Sequence, residues 1–497
     1  MKYISKTDYL LWRACPKNAW LRIHKPYLYY AMELTEFEQS VLDAGIEVEL
    51  LARNLFPDGV LITGASQQEA RTNTSTTLQS GNGTLFQPFF EHEQLLAMLD
   101  VLQYDDHKPE YAIYEVKAST EIKDEYLYDL AFQTVLLRQL GINAGRALLV
   151  HLNGGYVRKD AFDIARLFKT VDVTDTIERI AEIVAAEMRE ARTYLLSDIE
   201  PPGPCSCIYK GRSKHCSTFK YSNPTVPTYG VHDIVRVGSS PKKLRELVDA
   251  GILSLENIPA EIKLTRTQCA QLQAYRTGER IIDKAAISRE LDELAFPLHF
   301  IDYETFASPL PLFNDYSPYD QIPLQYSVHV VGSPSEEPIH RDFLHAGTND
   351  PNSSFLDSLQ QHVGSFGTII VWNKAFESHV NDGIARRLPP ARDYLIDFND
   401  RIYDLMDIFT KQYFVHKDLL GKVSIKNVLP VLTPDLSYSA LGIHDGAAAS
   451  LAWSKLLSAA LGPEESKELY RQLREYCTLD SYGMYAIWRA LISLSEG

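Results

Sequence analysis

No run in this chain approaches the ~20 consecutive apolar residues of a membrane-spanning helix, so no helical span is expected. The opening residues MKYISKTDYLLWRAC lack the apolar core and small-residue cleavage site of a secretory signal, so the expected location is cytoplasmic. Cysteine is scarce, with six in 497 residues. Without an export signal, that usage argues against a disulfide framework and for free thiols, some of them ligands. Basic charge is also short: 49 Lys and Arg stand against 65 Asp and Glu, for a formal net charge of −16. This balance counts against a protein coated in nucleic acid through bulk electrostatics. It leaves room for a local basic groove, or for an acidic site offset by bound cations. What is present is a globular composition, 45% apolar. At roughly 150 residues per domain, the length suggests about three domains.

The most informative stretch is PLHFIDYETF, Pro297 to Phe306. An apolar run, Leu298 to Ile301, delivers Asp302 and Glu304. On a β-strand residues i and i+2 share a face, so these two carboxylates sit side by side. They repel unless a divalent cation lies between them. The bland alternative is a strand with two solvated acids. Downstream, WNKAFESHV offers Asn373 and Glu377, and LREYCTLDSYGMYAIW offers Tyr476 and Asp480, four apart on one helix face. The order Asp-x-Glu, Asn-x-x-x-Glu, Tyr-x-x-x-Asp resembles the DEDD exonucleases in their tyrosine variant, except that Glu377 stands where that family carries Asp. The chain also resembles a bacterial family, catalogued mainly as a domain of unknown function, that fuses a RecB-like nuclease to this module. The resemblance implies an RNase H-like domain in which Asp302, Glu304, Glu377 and Asp480 hold two Mg²⁺ or Mn²⁺ ions. Tyr476 would orient the attacking water, and such sites generally trim a 3′ end.

The N-terminal third carries a second set. ISKTDYLLWRACPKNAWL reads as a capped helix, with Ser5 or Thr7 as the cap and Cys15 near its end. A helix is expected around Glu38 to Leu55. After a Gly-Asn-Gly turn at residues 81–83 come two strands, with Asp100 ending the second. YAIYEVKAST alternates, so Glu115 and Lys117 share a face. The following helix stops at Gly141. Glu-x-Lys alone is commonly the polar face of a half-buried strand. Asp100 followed by Glu115-x-Lys117 is the PD-(D/E)XK pattern. There, acids hold one or two Mg²⁺ or Mn²⁺ and the lysine stabilises charge developing on the phosphate. Gln133 resembles the helix glutamine of RecB-like nucleases, although the tyrosine expected four residues later is Leu137. Glu49 falls where relatives often carry a metal-binding His, with Glu47 as rival.

PPGPCSCIYKGRSKHCSTF holds Cys205, Cys207 and Cys216 after a proline break, and with Cys15 they make four. Thiolates suit iron–sulfur or zinc equally by softness. RecB-like nucleases of the CRISPR-associated and AddB type hold a [4Fe–4S] cluster with one Cys before the core and three after. That resemblance implies a cluster here; zinc, with His215 as a lesser ligand, is the alternative. Cys269 and Cys477 read as core residues, Cys477 facing away from the Tyr-x-x-x-Asp pair. Residues 223–294 read as a helical linker with a weak likeness to helix–hairpin–helix units.

The expected fold class is therefore α/β. It comprises a PD-(D/E)XK restriction-endonuclease-like domain over 1–222, the linker, and an RNase H-like DEDD exonuclease domain over 295–497. The expected function is a metal-dependent nuclease with two sites, its partner nucleic acid, DNA ahead of RNA, with no membrane. The alternatives are a nucleic-acid-binding effector with one degenerate nuclease fold, or an exonuclease directed at RNA or oligonucleotides.

Overall fold

The computed structural model describes residues 2–30, 35–80, 83–105, 107–458 and 461–496. The turn expected at residues 81–83 falls mainly on 81 and 82, outside the described residues. The fold is mixed α/β and divides into two compact units. The first comprises residues 1–224 with 308–319, and the second comprises 225–307 with 320–497. Residues 225–294 of the expected linker cluster with the second unit, and a short excursion from the later chain belongs to the first. The excursion is held by hydrogen bonds: Arg158 donates to the carbonyls of Pro311 (2.7 Å) and Leu312 (2.8 Å), and Leu310 is buried beside Val150 and Leu152.

In the first unit the strands are β1 (Ile4–Ser5), β2 (Val60–Leu61), β3 (Thr84–Phe86), β4 (Phe89–His92), β5 (Leu95–Met98), β6 (Val101–Asp105), β7 (Glu110–Lys117), β8 (Ala144–Leu152) and β9 (Phe168–Asp172). Six form one sheet in the order β2-β3-β6-β7-β8-β9, and β1-β5-β4 form a small second one. β7 and β8 are parallel. The helix joining them, Asp124–Gln139, ends at Gly141 in the left-handed conformation (φ 79°), which glycine adopts without a Cβ penalty. Strands where two were expected number four, because Gln87, Glu93 and Gln94 all take positive φ and break the run into short pieces. Asp100 therefore lies between β5 and β6 rather than at a strand end. The core joins Leu102, Ile113 and Leu149 of the sheet to Leu130 and Leu136 of that helix, and to Val184 and Met188 of Thr174–Leu196.

Helix α1 (Lys6–Ala14) begins at a capping box: the Ser5 hydroxyl accepts from Asp8 N–H (3.1 Å), and the Asp8 carboxylate accepts from Ser5 N–H (2.9 Å). Cys15 separates α1 from α2 (Pro16–His24). Helix α3 (Glu36–Ala52) starts with a second box, Thr35 and Glu38.

In the second unit β10 (Ile281–Ile282) pairs with β16 (Phe414–Val415). The main sheet is built from β11 (Leu298–Phe306), β12 (Ile322–Val331), β13 (Ile339–Leu344), β14 (Thr368–Val371) and β15 (Ile402–Asp404), in the order β13-β12-β11-β14-β15. The first three form an antiparallel meander, and β14 and β15 run parallel to β11. The two-residue period of β11 sorts its side chains. Ile301 and Tyr303 pack with Phe355, Val380 and Phe398 on one face. Phe300 meets Tyr485 and Trp488 of the 34-residue helix α6 (Pro463–Glu496), whose rings stand 5.7 and 5.5 Å away. By the same alternation Asp302 and Glu304 point toward α6. A register shift between Glu304 and Thr305 interrupts the ladder beside these acids, a common feature next to functional sites. Helix α4 (Lys374–Arg387) follows β14, and α5 (Ile425–Leu432) packs on α6.

Candidate metal and thiol sites

The second unit brings three predicted acids together. Ligand atoms of Asp302, Glu304 and Asp480 all lie within 4.8 Å of one another. Two come from the central strand and one from α6, four residues past Tyr476. Burial, with the neighbouring charges of Asp480, Glu304 and Glu377, raises the Asp302 carboxyl well above its ordinary range. Burial and Asp480 push Glu304 the same way. Buried like charges this close are costly unless protonated or neutralised by a cation. The oxygen-only donor set and this unbalanced charge fit a hard divalent ion.

The surroundings order the site. Tyr438 donates a hydrogen bond to Asp480 Oδ1 at 2.5 Å, which fixes one oxygen of that carboxylate. Lys426 of α5 donates to the Tyr476 hydroxyl at 3.0 Å, and its ammonium lies 4.9 Å from the Tyr476 ring centroid and 5.4 Å from that of Tyr438. Burial and the nearby Asp480, Glu304 and Asp302 charges raise the Tyr476 phenol, so it stays protonated. Cys477 is buried, and its Sγ lies 3.6 Å from the Asp302 carbonyl oxygen and 3.8 Å from Oδ2. It therefore faces the acids, contrary to the expectation that it points away: a helix residue one step from Tyr476 still reaches the flanking strand when that strand lies against the helix.

Glu377 is not within the three-acid group. It is buried in the first turn of α4, its Oε2 has no hydrogen-bond partner, and burial raises its carboxyl to about 8. Its charge still contributes to raising Asp302 and Glu304. Asn373, at the start of α4, has φ 125° and makes no side-chain cap. Asp404 takes the capping task, accepting from Lys374 N–H (2.9 Å) and Met406 N–H (3.1 Å).

The first unit gathers Asp100, Glu115, Lys117 and Gln133, with a different electrostatic outcome. Glu115 is 2% exposed. Its Oε1 accepts from Lys117 (2.7 Å) and Lys6 (2.8 Å), and its Oε2 from Gln133 (2.6 Å) and Lys6 (3.1 Å). Lys117 also bonds Asp129 at 2.7 Å, and Lys6 lies 3.5 Å from it. Burial alone would raise Glu115, but the two ammoniums hold it well below the usual carboxylate range. Asp100 accepts from Val116 N–H (2.7 Å) and is raised by burial and by the Glu115 charge. Glu49 is half-buried, pairs with Arg53 (2.9 Å) and accepts from Gln87 (3.1 Å), while Glu47 is exposed. Among the described residues these acids form no group of three ligands within 4.8 Å. A carboxylate has about four lone-pair positions, and those of Glu115 are taken up by two lysines and an amide. No sequence pattern marks Lys6, which stands 109 positions from Glu115; Tyr438 also carries no local signal.

The third cluster is Cys15, Cys205, Cys207 and Cys216, whose sulfurs all lie within 4.8 Å of one another. None is in a disulfide. Cys269 is exposed rather than part of a core. No helix among the described residues is long and apolar enough to cross a membrane.

A family described as "Domain of unknown function (DUF2779)" matches residues 299–424, which contain Asp302, Glu304 and Glu377 but neither Tyr476 nor Asp480. An "Uncharacterized protein MG366" of Mycoplasma genitalium is 28% identical over 213 residues, covering 38% of this chain and 31% of that protein. No solved structure matches.

Proposed function

We propose that the second unit is a two-metal phosphodiesterase of the DEDD type on an RNase H-like sheet. Its action would be a 3′→5′ exonuclease on nucleic acid, DNA ahead of RNA. The observation that carries this reading is that Asp480, from a distant stretch of the chain, meets the strand pair Asp302 and Glu304 with all three ligand atoms within 4.8 Å. The sheet order β13-β12-β11-β14-β15, with its antiparallel meander and two parallel strands, supports it.

Asp302, Glu304 and Asp480 would hold Mg²⁺ or Mn²⁺, with Glu377 beside them. Bound there, the ions supply Lewis-acid activation of water and stabilisation of the leaving 3′ oxygen. The rest is the work of the chain's own groups. Tyr438 keeps Asp480 Oδ1 engaged and leaves Oδ2 for ligation. Tyr476, protonated and held by Lys426, orients the attacking water by hydrogen bonding rather than by removing its proton. Lys426 adds positive charge where the phosphate gathers negative charge. The test is incubation of the purified protein with Mn²⁺ and end-labelled single-stranded DNA, double-stranded DNA and RNA. Intact substrates in every lane would sink the reading.

A second reading concerns the first unit, which we propose to be a hydrolytically silent PD-(D/E)XK nuclease fold. Lys6 favours it, because its ammonium neutralises the acid that a metal would need. In this reading the unit binds nucleic acid and the second unit cuts. Lys117→Ala with unchanged activity, set against an inactive Asp302→Ala, is the expected pattern; the reverse pattern puts the chemistry in the first unit.

A further inference from the structure

The four thiols carry an inference that departs from the iron–sulfur expectation. Cys216 Sγ lies 3.8 Å from Cys205 Sγ and 3.9 Å from Cys15 Sγ, and every pair in the set is within 4.8 Å. Four thiolates at ~2.3 Å from one tetrahedral ion stand ~3.8 Å from each other. A [4Fe–4S] cubane binds each cysteine to a different iron, with its sulfurs directed outward from separate corners. Its four thiolates must stand much farther apart than four thiolates on one ion. The observed spacing leaves no room for a cubane and matches the edge of a single-ion tetrahedron.

The frame around the thiols is built rather than incidental. Asn223 donates to Cys205 Sγ at 3.2 Å, and the Thr218 hydroxyl lies 3.8 Å from Cys216 Sγ. Asn18, three residues after Cys15, accepts from the Thr218 hydroxyl (2.7 Å) and from Thr218 N–H (3.3 Å). Lys17 donates to the Gly203 carbonyl (2.6 Å) and Lys210 to the Ala14 carbonyl (2.9 Å). The α1–α2 junction and the 203–218 loop are thereby held together on both sides of the sulfurs. Polar contacts to ligand sulfurs are what orient a metal site's ligands. Buried free cysteines packing as small apolar side chains would need none of them.

We propose that Cys15, Cys205, Cys207 and Cys216 bind one zinc ion in a closed, four-thiolate structural site. It clasps the N-terminal helices to the loop that follows Thr174–Leu196. Four protein ligands leave no open position, so the site is structural rather than catalytic.

The full chain, purified without oxygen, is assayed for zinc, iron and acid-labile sulfide. The expected result is about one zinc per chain, no sulfide, and four sulfurs at ~2.3 Å by X-ray absorption at the zinc edge. Cys205→Ser should bring zinc close to zero and lower the melting temperature, whereas Cys269→Ser, at an exposed cysteine outside the cluster, should keep both. If Cys205→Ser fails to fold, the wild-type stoichiometry and absorption spectrum still decide. Iron with sulfide, a chain holding no tight metal, or a Cys205→Ser protein that retains its zinc would each overturn the proposal.

Discussion

At the scale of single residues, Tyr438 is the group whose loss is most informative. Burial raises the Asp480 carboxyl to about 6, and the Tyr438 hydrogen bond restrains that rise. Tyr438→Phe removes the bond and moves Asp480 further up. The acid limb of the pH–rate profile should then shift to higher pH, and activity should fall by about 10- to 100-fold, the usual cost of losing a group that orients a ligand. Rates measured against both pH and Mn²⁺ concentration check this. Asp302→Asn should have two opposed effects. It should lower activity by about 10³-fold, equivalent to several kcal/mol of transition-state stabilisation. It should also raise the melting temperature of the metal-free protein, because one of three crowded acids is gone. Lys6→Met tests the first unit in the opposite sense. Leaving Glu115 with one ammonium should destabilise the fold by roughly 3 kcal/mol. Added Mn²⁺ should restore part of that in a thermal melt, and no Mn²⁺ effect would argue against Lys6 standing in for a cation.

At the scale of elements, the placement of functional groups follows local periodicity wherever that periodicity was strong. Asp302 and Glu304 share a face because β11 alternates, and Tyr476 and Asp480 share one because α6 repeats every 3.6 residues. Those four were legible in the sequence for that reason; the cap of α1 was legible only as Ser5 or Thr7, and it is Ser5. Contacts set by distant chain segments were not. Lys6 reaches Glu115, Tyr438 reaches Asp480 and residues 308–319 join the first unit through tertiary packing that leaves no trace in spacing. The strand breaks near Asp100 are invisible in the sequence because the positive-φ residues that divide them are Gln and Glu, which carry no turn signature. One close approach positions Lys426. A Cβ on Gly483 of α6 would sit 3.2 and 3.3 Å from the Leu429 methyls of α5. Gly483→Leu should push α5 away, cost about 1–3 kcal/mol by overpacking, and reduce kcat through the Lys426–Tyr476 contact. Urea melts together with steady-state kinetics separate the two effects.

At the scale of the whole molecule, the second unit is an acidic site whose charge is unbalanced without cations, and that has a stability signature. Burial places the Glu377 carboxyl at about 8 in the folded chain, against ~4.3 for an unperturbed glutamate. Asp302, Glu304 and Asp480 shift in the same direction. A group raised on folding stabilises fully below its unfolded value, and that contribution is lost as pH rises through the folded value. The metal-free protein should therefore lose stability from these groups between about pH 4 and pH 8. Glu115, held low, acts with the opposite sign and loses its contribution only in acid. Mn²⁺ should offset the loss, so its stabilisation should grow with pH; melting shifts on adding Mn²⁺ that are equal at pH 5 and pH 8 would contradict this. The most direct measurement is the fate of 5′-labelled single-stranded DNA with Mn²⁺ under wild-type protein and under Asp480→Asn. The account predicts progressive shortening from the 3′ end by the wild type and none by the variant. Full-length DNA in both reactions, or equal shortening in both, would contradict it.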